Sequence, residues 1–307
     1  MCFLYAISPT PIASSSTALT LINNAQRHLV LQVSSPVLVM QLGLLIVSCI
    51  AAASAASTPN PPRAQVILSC TVPGTVALTF DDGPYLYQDD ISQMLLSKGA
   101  KGTFFMVTIV SVPCVSYFGS IHLDECIYGT KVAARLTRTY QAGHQIASHT
   151  WSHPDLTALK ADEITNEFNK TDIALAKILG ITSPYLRPPY GNYNKLVRQI
   201  AYQFNKTLIL WDMDTEDSIG ATVEQSLQYY DQYIANNSVT IPLQHETEKT
   251  TAYQVLPAAI DKLQAAGLRL VTLAECLNQT MYTSELGPGT RDSSWFCPEE
   301  RSSSVEI

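Results

Sequence analysis

Charge is scarce in this chain. Only 15% of its 307 residues are Asp, Glu, Lys or Arg, and 26 acids against 19 bases leave a net charge of -7. No basic stripe is available to follow a phosphate backbone, which argues against nucleic acid as a partner and favours a neutral polymer or small molecule. Cysteine is sparse and never takes the close spacing of a zinc knuckle, so disulfides are its expected use. No internal repeat or low-complexity tract interrupts the sequence. It carries no apolar tail at its carboxyl end, so no lipid anchor is expected there. What is plentiful is apolar surface. A hydrophobic content of 46% can fill one substantial core, which predicts a single catalytic domain with tails and no obligate protein partner.

The apolar run from Val37 to Ala56 ends in small residues, and Ala53-Ser54-Ala55 has the form that signal peptidase cuts after. Residues 1–56 are therefore expected to be a signal region, with Met40 as an alternative start that would leave 1–39 untranslated. A signal anchor is the other reading, since about 20 apolar residues can span a bilayer and Arg27 and His28 precede them. Beyond the cut remain Cys70, Cys114, Cys126, Cys276 and Cys297, an odd number whose pairing the sequence does not assign. The tripeptides beginning at Asn169, Asn205, Asn236 and Asn278 are N-glycosylation acceptors, which suits a secreted or cell-wall protein.

A Pro-rich linker over 57–65 leads into an alternation of β-branched runs and helical patterns, the signature of a parallel sheet built from βα units. Strands are predicted at Thr75–Phe80, Gly102–Val107, His144–Ser148, Tyr185–Arg187, Thr207–Trp211, Val239–Leu243 and Arg269–Thr272. Helices are predicted at Asp89–Lys98, Lys131–Ala142, Ala161–Leu179, Lys195–Phe204, Val223–Ile234 and Ala252–Ala266. Gly99, Gly143, Gly180 and Gly267 follow four of the helices, where a left-handed stop favours glycine. About seven such units make an α/β domain over 66–283, either a closed barrel or an open doubly wound sheet; the pattern does not choose. The stretch from 284 to 307 reads as a loop-like tail.

The polar residues are placed more tellingly. Asp81 and Asp82, His149, Arg187, Asp212 and Asp214, and His245 all fall at or just past strand carboxyl ends, where parallel α/β folds keep their chemistry. In Thr79-Phe80-Asp81-Asp82-Gly83-Pro84 two carboxylates stand side by side; like charges that close repel, so one is expected to hold a cation or proton. A solvated Asp-Asp-Gly turn is the plain alternative. His149 and His153 are four apart, so that on a helical turn both imidazoles reach one ion, and with Asp82 they leave coordination positions open for water. One core and one exposed histidine is the bland reading of that spacing. In Arg187-Pro188-Pro189-Tyr190-Gly191 two prolines stiffen the loop and remove two donors, so the Tyr190 N–H could help hold an oxyanion and Arg187 could pair with a carboxylate; a proline-stiffened turn with a surface arginine is the equal alternative. His245, in Leu243-Gln244-His245-Glu246, is a plausible proton donor to a departing amine if Asp214 or Asp217 orients it.

In order and spacing, the segments 79–84, 149–153, 187–191, 211–217 and 241–246 resemble polysaccharide deacetylases with a NodB-homology domain, carbohydrate esterase family four, and in detail secreted fungal chitin deacetylases. The likeness runs from about Val66 to Asn278. It implies a distorted (β/α) barrel. It also implies metal ligands Asp82, His149 and His153 for zinc or cobalt, Asp81 as base, Arg187 as its partner, Tyr190 N–H as oxyanion donor, and His245 as acid tuned by Asp217, with Asp214 in reserve. Leu243, Tyr190 and Trp211 would line the substrate pocket. The implied reaction is hydrolytic N-deacetylation of chitin or another N-acetylglucosamine polymer.

Two departures stand out. Ser218 occupies a position where many relatives place a tryptophan that walls the acetate pocket, which would loosen it. The stretch Thr108 to Glu125 interrupts a region that relatives cross quickly, as a retained intron or a loop insertion; reading the mature transcript separates the two. Rival readings are a deacetylase of the same fold acting on peptidoglycan or acetylxylan, a two-histidine-one-carboxylate iron oxygenase, and a non-catalytic chitin-binding protein. The acid beside the metal ligand and the lack of a co-substrate site argue against the oxygenase. Retention of every ligand and of the base argues against the binding protein.

Overall fold

The computed structural model describes residues 61–108, 126–236 and 240–297. The expected signal region, most of the 108–125 stretch with Cys114, residues 237–239 and the end of the tail lie outside the described residues.

Six strands form a parallel sheet in the order β1 (Val66–Ile67), β8 (Thr207–Ile209), β7 (Tyr185–Leu186), β5 (Gln145–Ser148), β4 (Gly102–Met106) and β3 (Leu78–Gly83). Two further parallel pairs continue it: β9 (Met213–Asp214) with β10 (Pro242–Leu243), and β2 (Thr75–Val76) with β11 (Arg269–Leu270). Backbone bonds from Ala77 N to Thr240 O, Asp81 N to Gln244 O and Glu246 N to Asp81 O carry the β10 segment onto β3. The strands therefore close into a distorted barrel, the option that the sequence pattern left open. Around it run α1 (Gln88–Ser97), α2 (Thr130–Gln141), α3 (Ala161–Leu179), α4 (Lys195–Gln203), α5 (Val223–Ala235), α6 (Leu256–Ala265, entered through a π turn at Thr251–Val255) and α7 (Leu273–Leu277).

Side-chain alternation along the strands builds two layers. Phe104, Met106 and Ile146 pack outward beneath the helices, whereas Phe105, Ala147, Ile209 and Ile241 gather in a second cluster. The expected strands are present but shorter; the one predicted at Thr75–Phe80 divides at Ala77 and its second half runs on to Gly83. β1, β6 (Ile181–Thr182) and β12 (Ser284–Glu285) are two-residue strands, too short for a period of two to register in sequence. Gly99, Gly143, Gly180 and Gly267 all have positive φ, as helix stops require.

The tail is ordered by tertiary contacts as far as Cys297. β12 pairs antiparallel with β6, Leu286 N–H donates to Gly180 O, and Trp295 packs on Tyr128 with ring centroids 6.0 Å apart. Disulfides join Cys70 to Cys276 and Cys126 to Cys297, closing separations of 206 and 171 residues. Loops that long carry a large closure entropy in the unfolded chain, so each bridge stabilises by about 5 kcal/mol. Replacing Cys126 and Cys297 together by serine is expected to lower the free energy of unfolding by that amount, read from the midpoint of a urea titration. An unchanged midpoint would show that the strap holds without its bridge.

One buried histidine gives the fold an acid limit. His144 is 1% exposed; its Nδ1 accepts the Gly102 N–H at 3.1 Å and its Nε2 lies 3.3 Å from the Ser92 carbonyl. Burial, with Lys101 helping, lowers its pKa to about 4 against the pull of the Ser92 carbonyl. The folded state thus binds fewer protons than the unfolded chain between pH 6.5 and 4, and stability falls as pH drops through that window, by about 3 kcal/mol in all. In a His144→Gln variant the dependence of melting temperature on pH over this window should flatten.

Candidate active site

The Asp81–Asp82 pair lies on a β-bulge. Phe80 pairs with Phe104 and Gly83 with Met106, so two residues on β3 oppose one on β4, and Asp82 takes a left-handed conformation with φ +69°. In a regular strand consecutive side chains point to opposite faces. The bulge re-aims Asp82, so that both carboxylates serve one site.

Asp81 is 2% exposed and is held from beneath. Arg187, fully buried, donates from Nη1 to Asp81 Oδ1 at 2.7 Å and to Thr79 Oγ1 at 2.8 Å, and from Nη2 to Leu210 O at 3.0 Å. Its guanidinium lies 4.2 Å from the centre of the Phe105 ring. Burial pulls the guanidinium pKa down and Asp81 holds it up. The pair is dry and mutually dependent, so removing one partner strands a buried charge.

Asp82 Oδ1 lies 3.5 Å from His149 Nε2 and 3.4 Å from His153 Nε2. It is buried with no hydrogen-bond partner among the described residues. His149 Nδ1 sits 2.7 Å from the Arg187 carbonyl, which can only accept, so Nδ1 carries a proton and Nε2 is the nitrogen that faces Asp82. Burial and the neighbouring His149 lower the His153 pKa to about 4, against Asp82 and Asp81. An orphaned carboxylate oxygen and two imidazoles, their ligand atoms within 4.8 Å of one another, fit a divalent cation of the zinc type.

The two histidines do not sit on a helical turn, contrary to the expectation from their spacing. Residues 149–153 form a loop in which Thr150 and His153 have φ of +75° and +58°. The loop is set by α3: Glu167 Oε2 accepts the N–H groups of Trp151 and Ser152 at 2.9 and 2.8 Å, and Oε1 accepts the Ser152 hydroxyl at 2.8 Å. Sequence reading missed Glu167. Its signal was an acid on the stripe of α3 that buries Ile164, Phe168 and Thr171.

Across the site, His245 Nδ1 bonds Asp217 Oδ1 at 2.7 Å, while Asp217 Oδ2 accepts the His245 N–H and the Thr251 hydroxyl at 2.8 and 2.7 Å. Asp214 instead accepts the Glu216 N–H at 2.8 Å. Geometry therefore gives the orienting position to Asp217. Burial acts to lower the His245 pKa, but the bond and charge of Asp217, with Asp82 and Asp81 adding, raise it to about 10.

Tyr190 has φ +59° within the single 3₁₀ turn Pro189–Gly191, and its ring, 64% exposed, meets His153 edge-on at 4.8 Å. Gly191 also has positive φ, and a Cβ there would come within 2.8 Å of Trp211 Cη2. Trp211 is half-buried against this loop and Leu243 is buried two residues before His245. Ser218 is exposed in the 3₁₀ turn Asp217–Ile219.

The profile of the family described as polysaccharide deacetylase matches residues 69–209. A chitin deacetylase of Pestalotiopsis sp is 34% identical over 222 residues, which cover 70% of this chain and 68% of that protein. The chain belongs to the polysaccharide deacetylase family. A probable peptidoglycan-N-acetylglucosamine deacetylase of Arthroderma benhamiae is 37% identical over 227 residues, 72% of this chain; the match spans about half of that relative, 48%. Among solved structures, the chitin deacetylase from the fungal pathogen Colletotrichum lindemuthianum aligns with a TM-score of 0.62 at 25% identity, covering 71% of this chain and 94% of that one. In this polysaccharide deacetylase the five sequence segments picked out above converge on one rim of the barrel.

Proposed function

We propose that this chain is a secreted, metal-dependent deacetylase that hydrolyses the N-acetyl groups of chitin, giving chitosan and acetate. One observation carries the reading: a buried, Arg-paired Asp81 stands beside an Asp82–His149–His153 cation site and is bridged through the backbone to His245, which Asp217 orients. A hydrolase of an amide needs these three functions together, a base, an electrophile and an acid for the leaving amine.

A zinc or cobalt ion held by Asp82, His149 and His153 would supply Lewis acidity and lower the pKa of water at its open position. Asp81 takes a proton from the attacking water, with Arg187 as its fixed counter-charge. The Tyr190 N–H, the first amide donor after two prolines, donates to the oxygen on which charge develops. His245 gives its proton to the nitrogen as the C–N bond breaks, so acetate and a free amine leave. Leu243 and Trp211 line the side where the acetyl methyl rests.

Chitin is favoured by the names of several relatives, and the Arthroderma benhamiae relative's name points to N-acetylglucosamine in peptidoglycan as the second substrate to try. Export is supported by two disulfides and by the exposure of Asn169, Asn205, Asn236 and Asn278. No helix among the described residues is long and apolar enough to cross a membrane. The deciding assay measures acetate released from N-acetylglucosamine oligomers by the purified secreted domain, before and after chelation and with zinc or cobalt restored. Metal-dependent release supports the proposal. Release only from peptidoglycan or acetylxylan moves the substrate, and no release from any of the three by folded, metal-loaded protein refutes the activity.

A further inference from the structure

Glu246 is fully buried beside the catalytic loop, and the mechanism above does not use it. Its backbone N–H donates to the Asp81 carbonyl at 3.1 Å, on the strand whose Gln244 carbonyl accepts the Asp81 N–H at 3.0 Å. Its side chain turns under the same loop, where Oε1 accepts the Tyr85 N–H at 2.6 Å. The carboxyl occupies the space that Gly83 leaves: a Cβ at Gly83 would overlap the Glu246 carboxyl carbon and both of its oxygens. The segment from Asp81 to Tyr85 is thus tied to Glu246 at both ends and moulded on it in the middle. Arg135 completes the seat from α2, donating to the Pro84 carbonyl at 3.2 Å.

We propose that Glu246 is a positioning residue for the deacetylation centre, its carboxyl serving as the anvil on which the bulge is shaped, so that Asp82 meets His149 and His153 while Asp81 meets Arg187. This rests on the deacetylase reading for its catalytic consequence, but not for its effect on the cation site. The side chain acts as a hydrogen-bond acceptor of fixed volume rather than as a charge. Burial, with Asp82 and Asp81 adding, raises its pKa well above the ordinary carboxylate value, against the Tyr85 amide and Arg135.

The test compares Glu246→Ala, Glu246→Gln, Gly83→Ala and the double variant Gly83→Ala/Glu246→Ala, each checked for folding by its thermal transition. Zinc affinity is measured by competition with a chromophoric chelator, and kcat and KM by acetate release. Glu246→Ala is expected to weaken zinc binding about 10- to 100-fold, as loss of support behind metal ligands does, and to lower kcat with KM little changed. Gly83→Ala attacks the same seat from the other side and should reproduce both effects. In the double variant the new methyl enters vacated space, so the losses should not add. Glu246→Gln keeps acceptor and volume and should restore zinc affinity to within about threefold of wild type.

Wild-type zinc affinity in folded Glu246→Ala would overturn the proposal, and so would a Gln variant as impaired as Ala, which would mean that charge is what matters. If wild type releases no acetate from any acceptor, the deacetylase reading fails while the zinc titrations still decide the role of Glu246.

Discussion

Replacing Asp81 by asparagine is expected to lower acetate release by about a thousandfold, the middle of the range for loss of a general base, with zinc stoichiometry intact. Asn has nearly the same shape and still offers an oxygen to Arg187 Nη1, now 2.7 Å from Asp81 Oδ1. It cannot take a proton from water. The variant also leaves a wholly buried guanidinium without its counter-charge, which costs about 3–5 kcal/mol of stability when a buried pair is broken. A loss of kcat measured well below the melting transition, in protein that still binds one zinc, isolates the base. If instead metal and activity disappear together, Asp81 acts as a ligand and the assignment of Asp82 alone to the cation is wrong.

Asp217→Asn should have the next largest effect, and its mark is a changed pH profile. In the native site His245 is held protonated up to about pH 10, because the Asp217 bond and charge outweigh burial. An acid catalyst is competent below its pKa, so activity should persist into alkaline solution and fall as pH rises through that value. Asparagine removes the negative charge, and burial then pushes the imidazole toward or below the ordinary histidine value near 6.5. The alkaline limb should move down by several pH units, and at pH 8 activity should fall by about 10² to 10³-fold, part from lost protonation and part from lost orientation. A dication at Asp82 lowers the limb in both proteins, so the difference between their profiles is the readout. An unshifted limb with a uniformly lower rate would mean that Asp217 only holds the His245 backbone and Thr251 in place.

The secondary structure was legible because its causes are local. The predicted bounds of α3 and the observed ones coincide at Ala161–Leu179, since an amphipathic stripe, acids in the first turn and a closing Gly180 all lie within that segment. Resemblance added the barrel and the roles. The long disulfide connections were not legible, because pairing depends on which loops meet, and the segment beyond Ser284 gave no periodic signal for its strand and its strap along α3.

Side-chain chemistry was determined by the sequence itself: which residues can bind a cation, carry a proton or stiffen a loop, and at which strand ends they stand. Their meeting was decided only in three dimensions. Spacing placed Asp81 and Asp82 next to each other, where a regular strand would part them, and a bulge shaped against Glu246 turns both into one site. Spacing also suggested a helical turn for His149 and His153, yet a loop with left-handed Thr150 and His153, whose Trp151 and Ser152 amides are bonded to a buried acid of α3, brings them together. The physical reason is the same in both cases. A backbone conformation disfavoured by local sterics persists only where distant groups supply the hydrogen bonds and volume that hold it, and those groups lie 161 residues away for Tyr85 and Glu246 and 16 for Trp151 and Glu167.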